Sequence, residues 1–212
     1  MTFGASWYKV LMAVGALITA YMMLIGEERL NVVIEREDAL NRQYFSAPVV
    51  EHANERALAW FKRDFHDTGV MAHSFDMFIP TQAEIDRAEH LDPGFMQPVF
   101  GWWERRVRAW WTLVWSSYLR LSMLVTWAPV AVLFVLPWVV DGWTQRERRK
   151  HTFDMDSATR QHFSVLALTA IPLVLIVAVT SPLALHPMFI PGMLLGAGIL
   201  VHTILANFMK RA

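Results

Sequence analysis

The chain has 212 residues, 19 Lys plus Arg against 19 Asp plus Glu, a net charge of zero and no cysteine. A neutral chain carries no global field for nucleic acid, and a cysteine-free one has neither disulfides nor thiolate metal sites. Hydrophobic residues make up 55% of it and the mean hydropathy is +0.31, which, with the charges segregated as described next, excludes an ordinary soluble domain.

Asp, Glu, Lys and Arg are absent from residues 10–25, 121–140, 163–180 and 188–208. A bilayer core needs about 20 apolar helical residues, so the expected fold is all-α, an integral membrane protein with four spans. The first span is expected over 7–26, with Lys9 reaching back to the head groups. Ala20-Tyr21-Met22 is a poor cleavage site, so the segment is expected to stay as an anchor. Residues 27–119 then form a helical lobe. Within it, 27–45 reads as a helical stalk continuing the first span, and Pro48 interrupts it. Residues 49–65 place Val50, Ala53, Ala57, Phe61 and Phe65 near one helical face. Residues 69–80 read as a loop. Thr81 to Glu84 matches a capping box for a short helix ending near Pro93. The lobe is too small for a large independent core and is expected to lean on the membrane or a partner.

Residues 101–119 interleave Trp102, Trp103, Trp110, Trp111 and Trp115 with Arg105, Arg106 and Arg108. This suits an interfacial helix in the head-group plane, or the first part of one long tilted helix. The second span is expected over 120–140, a basic loop over 141–162, the third span over 163–180 and the fourth over 188–208. The loop holds Arg146, Arg148, Arg149, Lys150 and Arg160, and the C-terminus holds Lys210 and Arg211. By the positive-inside rule these mark the cytoplasmic side, so both termini are cytoplasmic and the lobe lies outside.

Few residues point to chemistry. His66, Asp67, His73 and Asp76 lack the one-turn spacing of a helical metal site and read as solvated loop residues. No phosphate loop, nucleophile elbow or catalytic triad stands out, so neither enzyme nor cofactor is expected. His202 is the one ionisable residue inside an expected span. With Gly192, Gly196 and Gly198 it reads as a helix–helix packing element. Pro129, Pro137 and Pro172 are expected to kink or open their helices. Asp141 and Gly142 read as the end of the second span, with Asp141 pairing to a nearby arginine. Together with Arg146, Arg148, Arg149 and Lys150 they form the candidate element for docking a partner or lipid head groups.

The run Leu136-Pro137-Trp138-Val139-Val140-Asp141-Gly142, followed by Arg146, Arg148 and Arg149, resembles the integrating conjugative element membrane protein family. That family shows an apolar helix ending in Asp-Gly, an arginine-rich stretch, a serine-containing segment and a Tyr-His-His-type motif. Ser157 and Gln161-His162-Phe163 occupy the last two places here, with the Tyr absent and one His left. The resemblance implies an inner-membrane accessory of conjugative DNA transfer. It would belong to a type IV secretion system and partner its coupling ATPase. A small channel or transporter subunit, and an entry-exclusion or envelope-protection factor, are the competing readings. The glycine faces are compatible with a homo-oligomer, and nothing in the sequence supports direct DNA binding.

Overall fold

Residues 27–44 are rich in Glu, Arg and Asn, with no glycine or proline, and fold as helix α1 (Glu27–Tyr44). The computed structural model describes residues 24–79, 96–149 and 158–207, with isolated positions between 12 and 20 and between 81 and 87. α1 does not continue an earlier helix. Gly26, its N-cap, is extended at φ −85° and ψ 160°, which corrects the expected continuous stalk. The expected first span, 7–26, lies largely outside the described residues. Two residues, Phe45 and Ser46, separate α1 from Ala47, and Pro48 then sits in the first turn of α2 (Ala47–Phe61), where its missing N–H costs nothing. A π-helical turn, Lys62–His66, follows α2.

The segment expected as a loop after residue 69 contains a further helix, α3 (Val70–Phe78). Gly69 turns the chain with a left-handed φ of 73°. From Val70 to Phe78 there is then no helix breaker, and tertiary contacts hold the helix. Trp111 Nε1 donates to Ser74 Oγ at 2.9 Å, and Phe78 meets Trp103 edge-on. Thr81 and Glu84 form the expected cap contact: the Thr81 backbone N–H and hydroxyl both donate to the Glu84 carboxylate at 2.8 Å. The backbone contact and then the hydroxyl contact hold the Glu84 carboxyl below its usual range. The remainder of that short helix lies outside the described residues.

α4 (Met96–Arg149) is a single helix of 54 residues, far longer than the 20 or so a bilayer needs. It settles one open choice and overturns one boundary. Residues 101–119 form the first part of one long helix rather than a separate interfacial one. At the other end, Asp141 and Gly142 do not stop the helix, so the expected loop over 141–162 is helical as far as Arg149. α5 (Ala158–Thr180) and α6 (Phe189–Ala206) follow. No strand occurs among the described residues. Three helices there are long and apolar enough to cross a membrane: Pro98–Arg149, Thr159–Thr180 and Phe189–Ala206. Pro129, Pro137 and Pro172 all lie inside helices that run through them.

The chain divides into two compact units, residues 1–122 with 179–184, and residues 123–178 with 185–212. In the first, α1 runs along α4 in the same direction. Leu30 packs with Ala109 and Leu113, and Glu37 meets Arg120 seven residues further on. α2 returns antiparallel, with Ala53 at Ser122 and Phe61 among Trp111, Trp115 and Tyr118. The expected buried face of α2 is real: Val50, Ala53 and Ala57 are fully buried. The tryptophans of α4 therefore divide. Trp111 is buried against Phe61 and Phe65, while Trp102 and Trp103 remain exposed.

Candidate functional site

In the first unit a buried polar arrangement centres on Arg120. Its side chain is 6% exposed and that of Glu37 is 10% exposed. Arg120 Nε and Nη2 both donate to the Glu37 carboxylate, the latter at 2.8 Å. Nη1 donates to the backbone carbonyls of Val179, at 3.0 Å, and Ser181, and Nη2 to that of Leu183 at 2.8 Å. The Val179 carbonyl is in the last turn of α5, where helix carbonyls lack intrahelical partners, and the Ser181 and Leu183 carbonyls follow directly after it. A guanidinium is suited to this task, because its fork of five N–H groups can serve a carboxylate and several carbonyls at once. Beside it, Arg56 Nε donates to Ser122 Oγ and Arg56 Nη2 to the Ser122 carbonyl, while Ser122 Oγ donates to the Ala53 carbonyl. Arg106 similarly donates to the Ile25 carbonyl at 2.9 Å, where the chain leaves helical geometry before α1.

In the second unit α4 and α6 run parallel along a close seam. Trp138 meets Gly198, Gly142 meets His202, and Arg149 meets the end of α6. A Cβ on Gly198 would stand 2.4 Å from Trp138 Cδ1, and one on Gly142 would stand 3.0 Å from the Cα and O of His202. Gly142 is thus a packing glycine inside a helix, not the helix stop expected of it. Trp138, Gly142, Gln145 and Arg149 recur at spacings of four, three and four, which is one stripe of α4. His202 Nε2 lies 3.0 Å from Asp141 Oδ2, so Asp141 reaches the histidine rather than a nearby arginine. Arg149 Nη1 donates to the Ala206 carbonyl and to Asn207 Oδ1, both at 3.1 Å. A cation there meets the negative end of the α6 dipole.

The residues expected to dock a partner therefore separate. Asp141, Gly142 and Arg149 serve the seam with α6. Arg146 lies over the Trp143 ring, 5.4 Å from its centroid. Arg148 is exposed on another side of the helix, and Lys150 lies outside the described residues. The packing residues separate too. Gly198 and His202 are in the seam, while among the described residues a Cβ on Gly192 or Gly196 would meet nothing within 4 Å. His66 lies 3.3 Å from Asp67, and no group of three or more His, Asp or Glu able to hold a metal occurs among the described residues.

A family model described as "IncC plasmid conjugative DNA transfer protein DtrJ-like" matches residues 22–210. The chain belongs to this DtrJ-like family. The DtrJ-like match takes in both the Arg120 cluster and the α4–α6 seam, and membership gives the chain a role in plasmid conjugative DNA transfer. The resemblance carried by the Asp141–Arg149 run agrees on conjugation, while the DtrJ-like description names a plasmid rather than an integrating element. No curated protein and no solved structure matches the chain.

Sequence reasoning missed the Arg120 cluster. Glu37 and Arg120 are separated by 83 positions, and each reads alone as a surface charge. The available signal was the position of Arg120, directly before the charge-free stretch 121–140, where a cation needs a partner if the lobe covers it.

Proposed function

We propose that this chain is a non-enzymatic inner-membrane accessory of the conjugative type IV secretion apparatus, and that it docks the coupling ATPase through the cytoplasmic end of α4. The observation that carries the reading is the continuation of α4 as a helix past its apolar stretch. The first part of the expected basic loop, residues 141–149, is a helical projection. Arg149 and Asp141 fix that projection against α6, and Arg148 faces outward from it. A rigid element with an exposed arginine suits recognition of an acidic protein surface, since less conformational entropy is lost than with a mobile loop. The orientation follows the positive-inside reading of the same arginines, with both termini in the cytoplasm and the α1–α3 lobe on the opposite face.

Co-purification in mild detergent tests this. Tagged protein is expected to bring down the coupling ATPase, and Arg148→Glu is expected to reduce that capture and the transfer frequency together. Absence of the ATPase from the purified material, with unchanged transfer from a deletion strain, would refute the proposal.

A further inference from the structure

The contacts of α1 and α2 with α4 fix how far the hairpin between them reaches. Residues 121–140 hold no charge, and a helix of about 20 apolar residues matches the hydrocarbon core of a bilayer. Arg120 therefore stands at one edge of that core. The carbonyls of Val179, Ser181 and Leu183, where α5 ends and the chain turns, meet the same guanidinium, so the end of a second apolar helix marks the same edge. α1 runs in the direction of α4 and brings Glu37 to Arg120, yet it continues for seven more residues, to Tyr44. α2 meets Ser122 at Ala53, having begun six residues earlier at Ala47. At 1.5 Å per helical residue, both counts carry the hairpin tip about 9–10 Å past the edge.

The composition of the tip suits that position. The run from Gln43 to Val50 carries no charge. Tyr44 is 47% exposed, and Ser46, Ala47 and Pro48 are exposed as well. Leaving apolar surface of this kind in water is unfavourable. Backbone groups near lipid must find partners within the chain, and the turn meets most of that demand. The Phe45 N–H donates to the Asn41 carbonyl at 2.8 Å, the Val49 and Val50 N–H groups donate to the Ser46 carbonyl at 3.0 and 3.3 Å, and Pro48 has no N–H. The nearest charges are paired at the base of the tip. Arg42 Nε reaches back one turn to Asp38 at 2.6 Å, and Arg42 Nη1 lies 4.0 Å from Glu51. We infer that the α1–α2 hairpin dips its tip into the leaflet on the lobe's side. Tyr44, Ala47 and Pro48 take the glycerol and upper acyl level, where tyrosine concentrates in bilayers, and Arg42 and Glu51 stay with the head groups. Lipid is thus the occupant of this apolar surface, and the lobe holds the bilayer at a point separate from the helices that cross it.

The chain has no cysteine, so a nitroxide on a single introduced cysteine reports its own position. Full-length Ala47→Cys is labelled in proteoliposomes, and its relaxation is measured with oxygen, which concentrates in lipid, and with a nickel chelate, which stays in water. Val132→Cys, in the charge-free stretch of α4, is the lipid reference. Val32→Cys and Leu58→Cys, five residues to the lobe side of Glu37 and Ala53, are the water references. All three reference positions are more than half exposed, so labelling them disturbs no packing. The Ala47→Cys label is expected to respond more to oxygen than to nickel, as Val132→Cys does, with the order reversed at Val32→Cys and Leu58→Cys. Ser46→Asp in the Ala47→Cys background should shift the label toward the aqueous reading, because a carboxylate is costly below the head groups. An Ala47→Cys label that reads like Val32→Cys and Leu58→Cys overturns the inference, as does one shielded from both reagents, which would mean that protein covers the tip. An aqueous reading at Val132→Cys would remove the membrane edge and the inference with it. The readout is independent of ATPase capture, so this inference and the docking proposal fail separately.

Discussion

Replacing Arg120 by alanine would remove the donor that serves Glu37 and three backbone carbonyls at once. Breaking a buried ion pair from one side costs about 3–5 kcal/mol, because the remaining charge is left without compensation. Here the Val179, Ser181 and Leu183 carbonyls also lose a donor, which places Arg120→Ala at the upper end of that range. Glu37→Gln keeps an oxygen acceptor for the guanidinium and should cost less, about 1–3 kcal/mol. The two effects should not add. Once Arg120 is gone, removing the Glu37 carboxylate relieves a buried charge, so Glu37→Gln in the Arg120→Ala background should recover stability. Unfolding of the full-length protein in mixed detergent micelles, followed by tryptophan fluorescence, supplies the four values of the cycle. Costs for the single variants that simply add, or an Arg120→Ala loss within about 1 kcal/mol of zero, the usual scale for an exposed pair, would refute the reasoning.

Other outcomes follow from the same geometry. Gly142→Ala should destabilise the α4–α6 seam by about 1–3 kcal/mol, the usual cost of overpacking, since the new Cβ would press on the His202 backbone; the same unfolding assay measures it. Gly192→Ala and Gly196→Ala should be neutral or stabilising by up to about 1 kcal/mol from helix propensity, because no described residue stands within 4 Å of either new Cβ. Trp111→Phe should loosen α3 by removing the indole N–H that Ser74 accepts, seen as faster proteolysis after residue 69. Arg63 and then Tyr118 hold Asp64 below its ordinary 3.8 by donating to its carboxylate. A depressed carboxyl stabilises the fold above its unfolded value and loses that contribution as pH falls through the folded one. The contact of the π-helical turn with α4 should therefore weaken only below about pH 4, the ordinary Asp value, and Asp64→Asn should remove this dependence in an acid titration of tyrosine fluorescence.

Local chemistry made several features legible. Four charge-free stretches read as spans by length and composition, and three of the helices found can cross a membrane. The buried face of α2 was readable because Val50, Ala53 and Ala57 keep helical spacing. The cap at Thr81 and Glu84 was readable because its partners are three residues apart. Conjugation was readable from the Asp141–Arg149 run, and the family match agrees. The helix over 70–78 was not readable, since it depends on Trp111 and Trp103 from another segment.

By itself, then, the sequence determined an all-helical chain, the places where apolar stretches fall, and the setting of its function. Those properties depend on residues close together in the chain. The tertiary structure decided what individual polar and small residues do. Asp-Gly at 141–142 satisfies the local rule for a helix end, yet the helix continues, because α6 lies close enough that only glycine fits beside His202. Arg120 and Glu37 each look like a surface charge until α1 lies along α4 and buries both. Distant segments create these constraints when they meet, and no window of neighbouring residues contains them.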